Sequence, residues 1–341
     1  ACRTYHRNIH GEDAHLAFAD ADAVGVQGID EAQGDAPLVL NADVRRVKSG
    51  LLNPIDGFLF GFPCNDFSLA GERQGLNGEF GMLYRAGRNL IMDKRPKFFV
   101  AENVSGLLQA NDYGAFIQII EDLQMRELDE EGHSYTVVPH LYRFEEYGVP
   151  QTRHRVIIVG IRNDILKRDG VLERGFMPPR ATGEVVTAGM ALGIPFPPDV
   201  ANNEEKKVSD IVRRRLESLE PGQNFWDVNE SLAPELQIKQ TKTRISSIYK
   251  VLDPDKPAYT VVGSGGGGTH MYHWERRPTT NRERARIQTF PDDFVFEGGM
   301  ASVRKQIGMA VPPKGARIII SAVLKTLLGI DYEEVEPNLK K

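Results

Sequence analysis

Five short, largely apolar stretches, at residues 38–40, 57–60, 98–101, 135–139 and 155–161, are strand candidates, each too short for a helix. Helical patterns lie between them at 83–92 and 113–123. Strands alternating with helices imply a largely parallel sheet in an α/β arrangement. A short helix is expected over residues 1–8, and the acidic, alanine-rich stretch 12–35 reads as a loop or insertion. Pro178-Pro179 and the prolines between Pro195 and Pro198 interrupt the alternation. From there to about Pro278 the periodicity is irregular, with short strands such as 258–262, as in a second, smaller domain. A helix is expected from Thr280, with Thr280 and Asn281 as cap candidates and Glu283 close behind. The apolar helix 315–328 should pack back on the sheet.

The 341 residues allow roughly two domains and a sizeable core. A hydrophobic share of 41% and a charged share of 26% are those of a soluble globular protein. Cys2 and Cys64 are far apart and no CxxC pair exists, so neither a disulfide framework nor a cysteine metal site is suggested. A reducing, cytoplasmic setting fits. No apolar run approaches 18 residues, hence no membrane span is expected, and no signal peptide is recognised. The net charge of −5 argues against a polyanionic partner, but its distribution does not. Between Lys239 and Arg286 ten basic residues face four acids, a local excess of +6. A polyanion responds to local charge.

The apolar run at 55–60 stops at Gly61-Phe62-Pro63-Cys64. A cysteine therefore sits where a strand gives way to a loop, with Pro63 fixing the backbone before the sulfur. In open α/β sheets ligands lie beyond the carboxyl ends of strands, which places Cys64 as a candidate nucleophile. A small buried hydrophobe is the competing reading. The strand 98–101 likewise runs into Glu102-Asn103-Val104, where Glu102 is either an active-site carboxylate or a helix cap. Ahead of the last strand stands Gln151-Thr152-Arg153-His154-Arg155, and alternation puts Arg153 and Arg155 on one side with His154 opposite. The run Gly263 to Gly268 satisfies G-x-G-x-x-G, but no helix start follows, so a flexible turn is expected rather than a dinucleotide site. His270 and His273 have a spacing a metal could use; without a third ligand they read as surface histidines, and no metal is expected.

Taken in order, Pro63-Cys64, Glu102-Asn103-Val104, Gln151-x-Arg153-x-Arg155, the arginine-rich helix ending in Gln288-Thr289-Phe290-Pro291-Asp292, and Gln306-Ile307-Gly308 strongly resemble the DNA cytosine-5 methyltransferases, over residues 43 to 328. The resemblance implies an S-adenosylmethionine-dependent, Rossmann-like α/β methyltransferase sheet with a smaller target-recognition domain. The domains would run 1–170 (catalytic), 171–290 (target recognition) and 291–341 (returning to the catalytic domain). It implies methyl transfer from S-adenosylmethionine to C5 of a cytosine flipped out of a specific duplex DNA sequence. Cytosine C5 is a poor nucleophile; a thiolate added at C6 makes the ring enamine-like. A cysteine suits this, because its pKa near about 8.5 leaves some thiolate at neutral pH.

By the same resemblance Glu102 protonates N3 and holds the exocyclic amine, Arg155 binds O2, and Arg153 supports that corner. Asp43 would meet the adenine amine, with Pro63, Leu83, Ala310 and Val311 near the donor. Ser68, Thr260, Gly265 and Arg286 would approach the DNA. The glycine-rich loop 68–82 suits a closing lid. Asp43, taken alone, could equally be a turn residue at a strand end. The type implied is a restriction–modification or phage enzyme with a cognate restriction endonuclease as functional partner. Two departures from the family stand out. The donor-wrapping strand and glycine-rich turn, and the following strand with its ribose-holding acid, are absent, so the sequence reads as N-terminally incomplete, lacking strands of the sheet, with weak donor binding expected. Met309 replaces the usual Asn, and Asn65 stands where many relatives have Gln. The competing functions are a non-catalytic or split-enzyme fragment that binds DNA, and a tRNA cytosine-5 methyltransferase.

Overall fold

The computed structural model describes residues 1–10, 15–18, 37–47, 49–62, 81–109, 113–167, 175–239, 248–263 and 271–339. Pro63, Cys64, Ser68, Gly265, His270 and the loop 68–80 lie outside the described residues. The strands are β1 (His15–Phe18), β2 (Leu38–Asn41), β3 (Gly57–Gly61), β4 (Phe98–Val104), β5 (Tyr135–Arg143), β6 (Gln151–Thr152), β7 (His154–Arg162) and β8 (Ala258–Tyr259). The helices are α1 (Cys2–Tyr5), α2 (Gly81–Lys94), α3 (Gly114–Leu123), α4 (Asn163–Lys167), α5 (Ala188–Leu192), α6 (Asp210–Glu217), α7 (Asn281–Ile287), α8 (Met300–Met309) and α9 (Pro313–Leu328).

The main sheet has the order β3-β4-β7-β5. β3 and β4 are parallel, whereas β7 runs antiparallel to both β4 and β5. The expected, largely parallel sheet is therefore a mixed one. Periodicity marks a strand but carries no direction, and β5 returns to β7 through residues 144–153, a connection shorter than the crossover a parallel pair needs. β1 pairs in parallel with β2, so a strand lies inside the stretch expected to be a loop.

β4 and β7 are central and buried on both faces, which is why their sequences are nearly continuous apolar runs. One face carries Phe99, Ala101, Val156 and Ile158 and packs on Tyr84 and Ile91 of α2 and on Phe116, Ile119 and Leu123 of α3. The other carries Val100, Ile157, Val159 and Ile161 against Ile319, Ala322 and Val323 of α9. The result is a three-layer sandwich. Each fully buried Leu, Ile or Phe contributes about 1.5–3 kcal/mol. At the β5 edge Asn338 brackets Leu141, accepting from its N–H at 2.8 Å and donating to its carbonyl at 3.0 Å. The C-terminal tail thereby covers part of that edge.

Met300–Leu328 contains a window with mean hydropathy 1.4, long and apolar enough for a membrane span by composition. This departs from the expectation that no such run exists. The segment is two helices, α8 and α9, separated at Ala310–Pro312, and α9 is packed into the core. A further apolar cluster surrounds Leu216, Phe225, Tyr249, Val251 and Tyr272, in the region of irregular periodicity. His273, read from sequence as a surface residue, is 4% exposed and stacks against Trp274. Among the described residues no cluster of three or more His, Cys, Asp or Glu could hold a metal.

Candidate active site

The site is set by strand register. Gly61, the last residue of β3, pairs with Glu102 of β4, and Glu102 pairs in turn with Ile157 of β7. Opposed residues share a face, and Arg155 lies two residues from Ile157 on that same face. Diagonal neighbours are within reach of long side chains. Arg155 Nε accordingly stands 2.9 Å from Glu102 Oε1, with the two side chains only 12% and 22% exposed. Burial pushes the Glu102 carboxyl above its ordinary pKa, against the opposing pull of Arg155 and then Arg153. The carboxyl is thus tuned toward holding a proton while staying beside two guanidinium groups.

Asn103 ties this pair to the end of β3. Its side chain is buried and donates to the Phe62 carbonyl at 3.1 Å, while its own carbonyl accepts from Val104 N–H at 2.8 Å. The backbone is therefore pinned at Phe62, two residues before Cys64.

Arg153 is 1% exposed. Its guanidinium donates to the carbonyls of Val261, Gly308 and Ala310 at 3.1, 3.0 and 2.8 Å. Burial, then Arg155, pulls its pKa down to about 9, with Glu102 opposing, so it stays charged at neutral pH. It is a staple joining the start of β7, the segment after β8 and the turn after α8. Gln151, fully buried, works in parallel: it donates to Gln288 Oε1 at 2.7 Å and accepts from Val261 N–H at 2.8 Å. Gln288 continues the chain to the Ile307 carbonyl at 2.7 Å. Asn103, Gln151 and Gln288 were not singled out from sequence, although each lies inside a motif.

Gln306-Ile307-Gly308 is the last turn of α8, and it needs its glycine, because a Cβ at Gly308 would overlap Gly263 N and the Val262 carbonyl carbon. Met309 projects outward, 67% exposed. Thr260 donates to the Thr152 carbonyl at 2.6 Å, which places it beside the arginine segment. Thr152, Thr260, Lys250 and Lys256 line one concavity of about 340 Å³.

Other expected residues have different surroundings. Asp43 follows β2 and caps the short turn Val44–Arg46, with its carboxylate paired to Arg45 at 2.6 Å. That turn packs against α2, on which Leu83 is half-buried. Val311 packs at the edge of the α9 core. Arg286 is engaged by Asp292, by the Ala191 and Ile194 carbonyls and by the face of Phe196, 3.7 Å from its guanidinium carbon. These contacts hold the Arg286 side chain against α5 and the segment after α7. Much of the basic cluster is similarly engaged: Arg277 pairs with Glu283, and Arg282 donates to the carbonyls of Ala201, Pro291 and Phe294.

Fold and site together define a class: an α/β protein with a buried carboxylate–guanidinium pair at the strand ends, joined by a polar staple to the segments that follow β8 and α8. The model of the C-5 cytosine-specific DNA methylase family matches residues 37–325, and the chain belongs to that family. It is 50% identical over 284 residues to the type II methyltransferase M.BbvI of Brevibacillus brevis, covering 82% of this chain and 72% of that protein. With M.NgoFVII of Neisseria gonorrhoeae the identity is 39% over 314 residues, covering 89% and 79%. A solved Escherichia coli prophage-encoded protein described as a DNA modification methyltransferase superposes with a TM-score of 0.60 at 21% identity, covering 93% and 92% of the two chains, which speaks to the fold alone.

Proposed function

We propose that the protein transfers a methyl group from S-adenosylmethionine to C5 of a cytosine flipped out of duplex DNA, as the modification enzyme of a type II system with a cognate endonuclease as functional partner. The observation that carries this reading is the Glu102–Arg155 pair at the register of Gly61 in a member of this family. Phe62 is pinned beside that pair. Cys64 follows two residues later, a reach of at most about 7 Å along the chain.

In this mechanism the Cys64 thiolate forms a bond to C6. The electron pair displaced from the C5–C6 double bond accumulates over the ring, where a proton from Glu102 to N3 neutralises it. The raised pKa of Glu102 suits a proton donor. Arg155 stabilises the charge at O2, the kind of contact worth about 3 kcal/mol in a transition state. Among the described residues the Arg153 guanidinium hydrogen-bonds to backbone carbonyls alone, which makes it a positioning residue. When bound, S-adenosylmethionine supplies an electrophilic methyl group to C5. A base then removes the C5 proton, the electron pair left at C5 re-forms the C5–C6 double bond and expels the thiolate, and N3 returns its proton to Glu102.

Asp43, Leu83, Ala310 and Val311 would hold the donor, together with Pro63. Asp43 fits an amine partner: its ion pair with Arg45 is substantially exposed, the two side chains being 33% and 43% exposed, and such pairs contribute about 0–1 kcal/mol. An incoming amine can therefore displace it cheaply. DNA is read as lying over the concavity of Thr152, Lys250, Lys256 and Thr260, with Ser68 and Gly265 approaching it from their loops.

The test incubates the full chain with labelled donor and either duplex DNA or tRNA, then digests the acceptor and resolves the nucleosides. Labelled 5-methyldeoxycytidine from DNA is the expected product. Label confined to tRNA, or label at a position other than C5, refutes the reading.

A further inference from the structure

A second polar site lies away from the carboxylate–guanidinium pair, where α7 meets the start of α8. A cavity of about 180 Å³ is lined by Arg284, Arg304, Lys206, Glu204, Asn281 and Met300, among others. That is room for a tetrahedral oxyanion and a few waters, each water occupying about 30 Å³. Arg284 is 3% exposed. Its Nε donates to Thr279 Oγ1 at 3.0 Å, and among the described residues no carboxylate pairs with its guanidinium. The adjacent Glu283 is taken by Arg277 at 2.7 Å. Instead Arg284 faces a second cation, Arg304, whose charge adds to burial in pulling the Arg284 pKa down to about 10. Tyr259, Tyr272 and Glu283 oppose this pull without overcoming it; a buried charge is costly, and a like charge beside it raises the cost.

The remaining wall has the same electrical sign. Met300 and Ala301 form the first turn of α8, whose N-cap Gly299 provides no side-chain acceptor for the leading amides. Helix N-termini of this kind favour anions. Lys206 adds a third cation, and the exposed Glu204 is the sole carboxylate among the described lining residues. We infer that this cavity is a phosphate-binding site, formed by Arg284, Arg304, Lys206 and the first-turn amides of α8. The phosphate is either a free or monoester phosphate or a phosphodiester of the DNA backbone; the chemistry of recognition is shared.

The test uses the full chain and the variants Arg284→Met and Arg304→Gln. Thermal unfolding is followed in inorganic phosphate against chloride at matched ionic strength, and duplex binding is measured across a salt series. A free-phosphate site predicts a rise in Tm of about 2 °C at ten times Kd in the parent chain. Both variants lose the rise, Arg284→Met is at least as stable as the parent without phosphate, and DNA affinity does not change. A backbone-phosphate site predicts instead that both variants weaken DNA binding at low salt and lower the slope of log K against log salt by about 1. The inference is overturned if the variants match the parent in both phosphate response and salt slope, or if the parent responds to neither ligand.

Discussion

Arg153→Lys isolates the staple beneath the candidate active site. The parent guanidinium serves three carbonyls on two separate segments, at 2.8 to 3.1 Å, in a position that is 1% exposed. A lysine keeps the charge but not the planar fork. Its single nitrogen can approach the Gly308 and Ala310 carbonyls or the Val261 carbonyl, not the whole set. Hydrogen bonds to charged groups contribute about 1.5–3 kcal/mol each, so losing one or two of them costs about 3 kcal/mol. With an m-value of about 3 kcal/mol/M, the urea midpoint should fall by about 1 M. Because the staple aligns the segment after β8 with the turn after α8, methyl transfer should fall as well. A midpoint shift below about 0.2 M, corresponding to roughly 0.5 kcal/mol, would show that these carbonyls do not depend on Arg153 and would refute the reasoning.

The other predictions are independent of that staple. Glu102→Gln preserves shape and removes the titratable proton, so kcat in a methyl-transfer assay should drop about 100- to 1000-fold with little change in the urea midpoint; a drop below tenfold contradicts the proposed role. Gly308→Ala forces a Cβ into the backbone of Val262 and Gly263, and should cost about 1–3 kcal/mol in urea unfolding. His140 is 6% exposed, and burial lowers its pKa from 6.5 to about 4. The unfolded chain therefore takes up this proton first, so stability is lost as pH falls from 6.5 toward 4, by up to roughly 3 kcal/mol. His140→Phe should flatten that part of the pH profile relative to the parent, and identical profiles would contradict the assignment.

The main strands were legible because strands buried on both faces are apolar along nearly their whole length, and 98–101 and 156–161 are. Their direction was not legible, since an apolar run reads the same in a parallel or an antiparallel ladder. β1 escaped notice because four residues, only some of them apolar, sit in an acidic, alanine-rich stretch. The capping box at α7 was readable in outline: Thr280 accepts from Glu283 N–H at 3.1 Å, and Glu283 accepts from Thr280 N–H at 2.8 Å. The partnership of Glu102 and Arg155, 53 positions apart, required the register of two strands, which only the order of the motifs hinted at. Which members of the basic cluster are already engaged within the protein was not legible, because counting charge says nothing of partners. Arg277, Arg282 and Arg286 are held by Glu283, by backbone carbonyls and by Asp292, respectively. A buried arginine and an exposed one look identical in a sequence.

Covalent trapping addresses the central chemistry most directly. Genomic DNA substituted with 5-fluorocytosine requires no knowledge of the target sequence, and fluorine at C5 cannot leave as a proton does. With donor present, the full chain should form a denaturant-resistant DNA adduct, and Cys64→Ser should form none. An adduct that persists in Cys64→Ser, or methylated DNA produced without any adduct, would contradict the account.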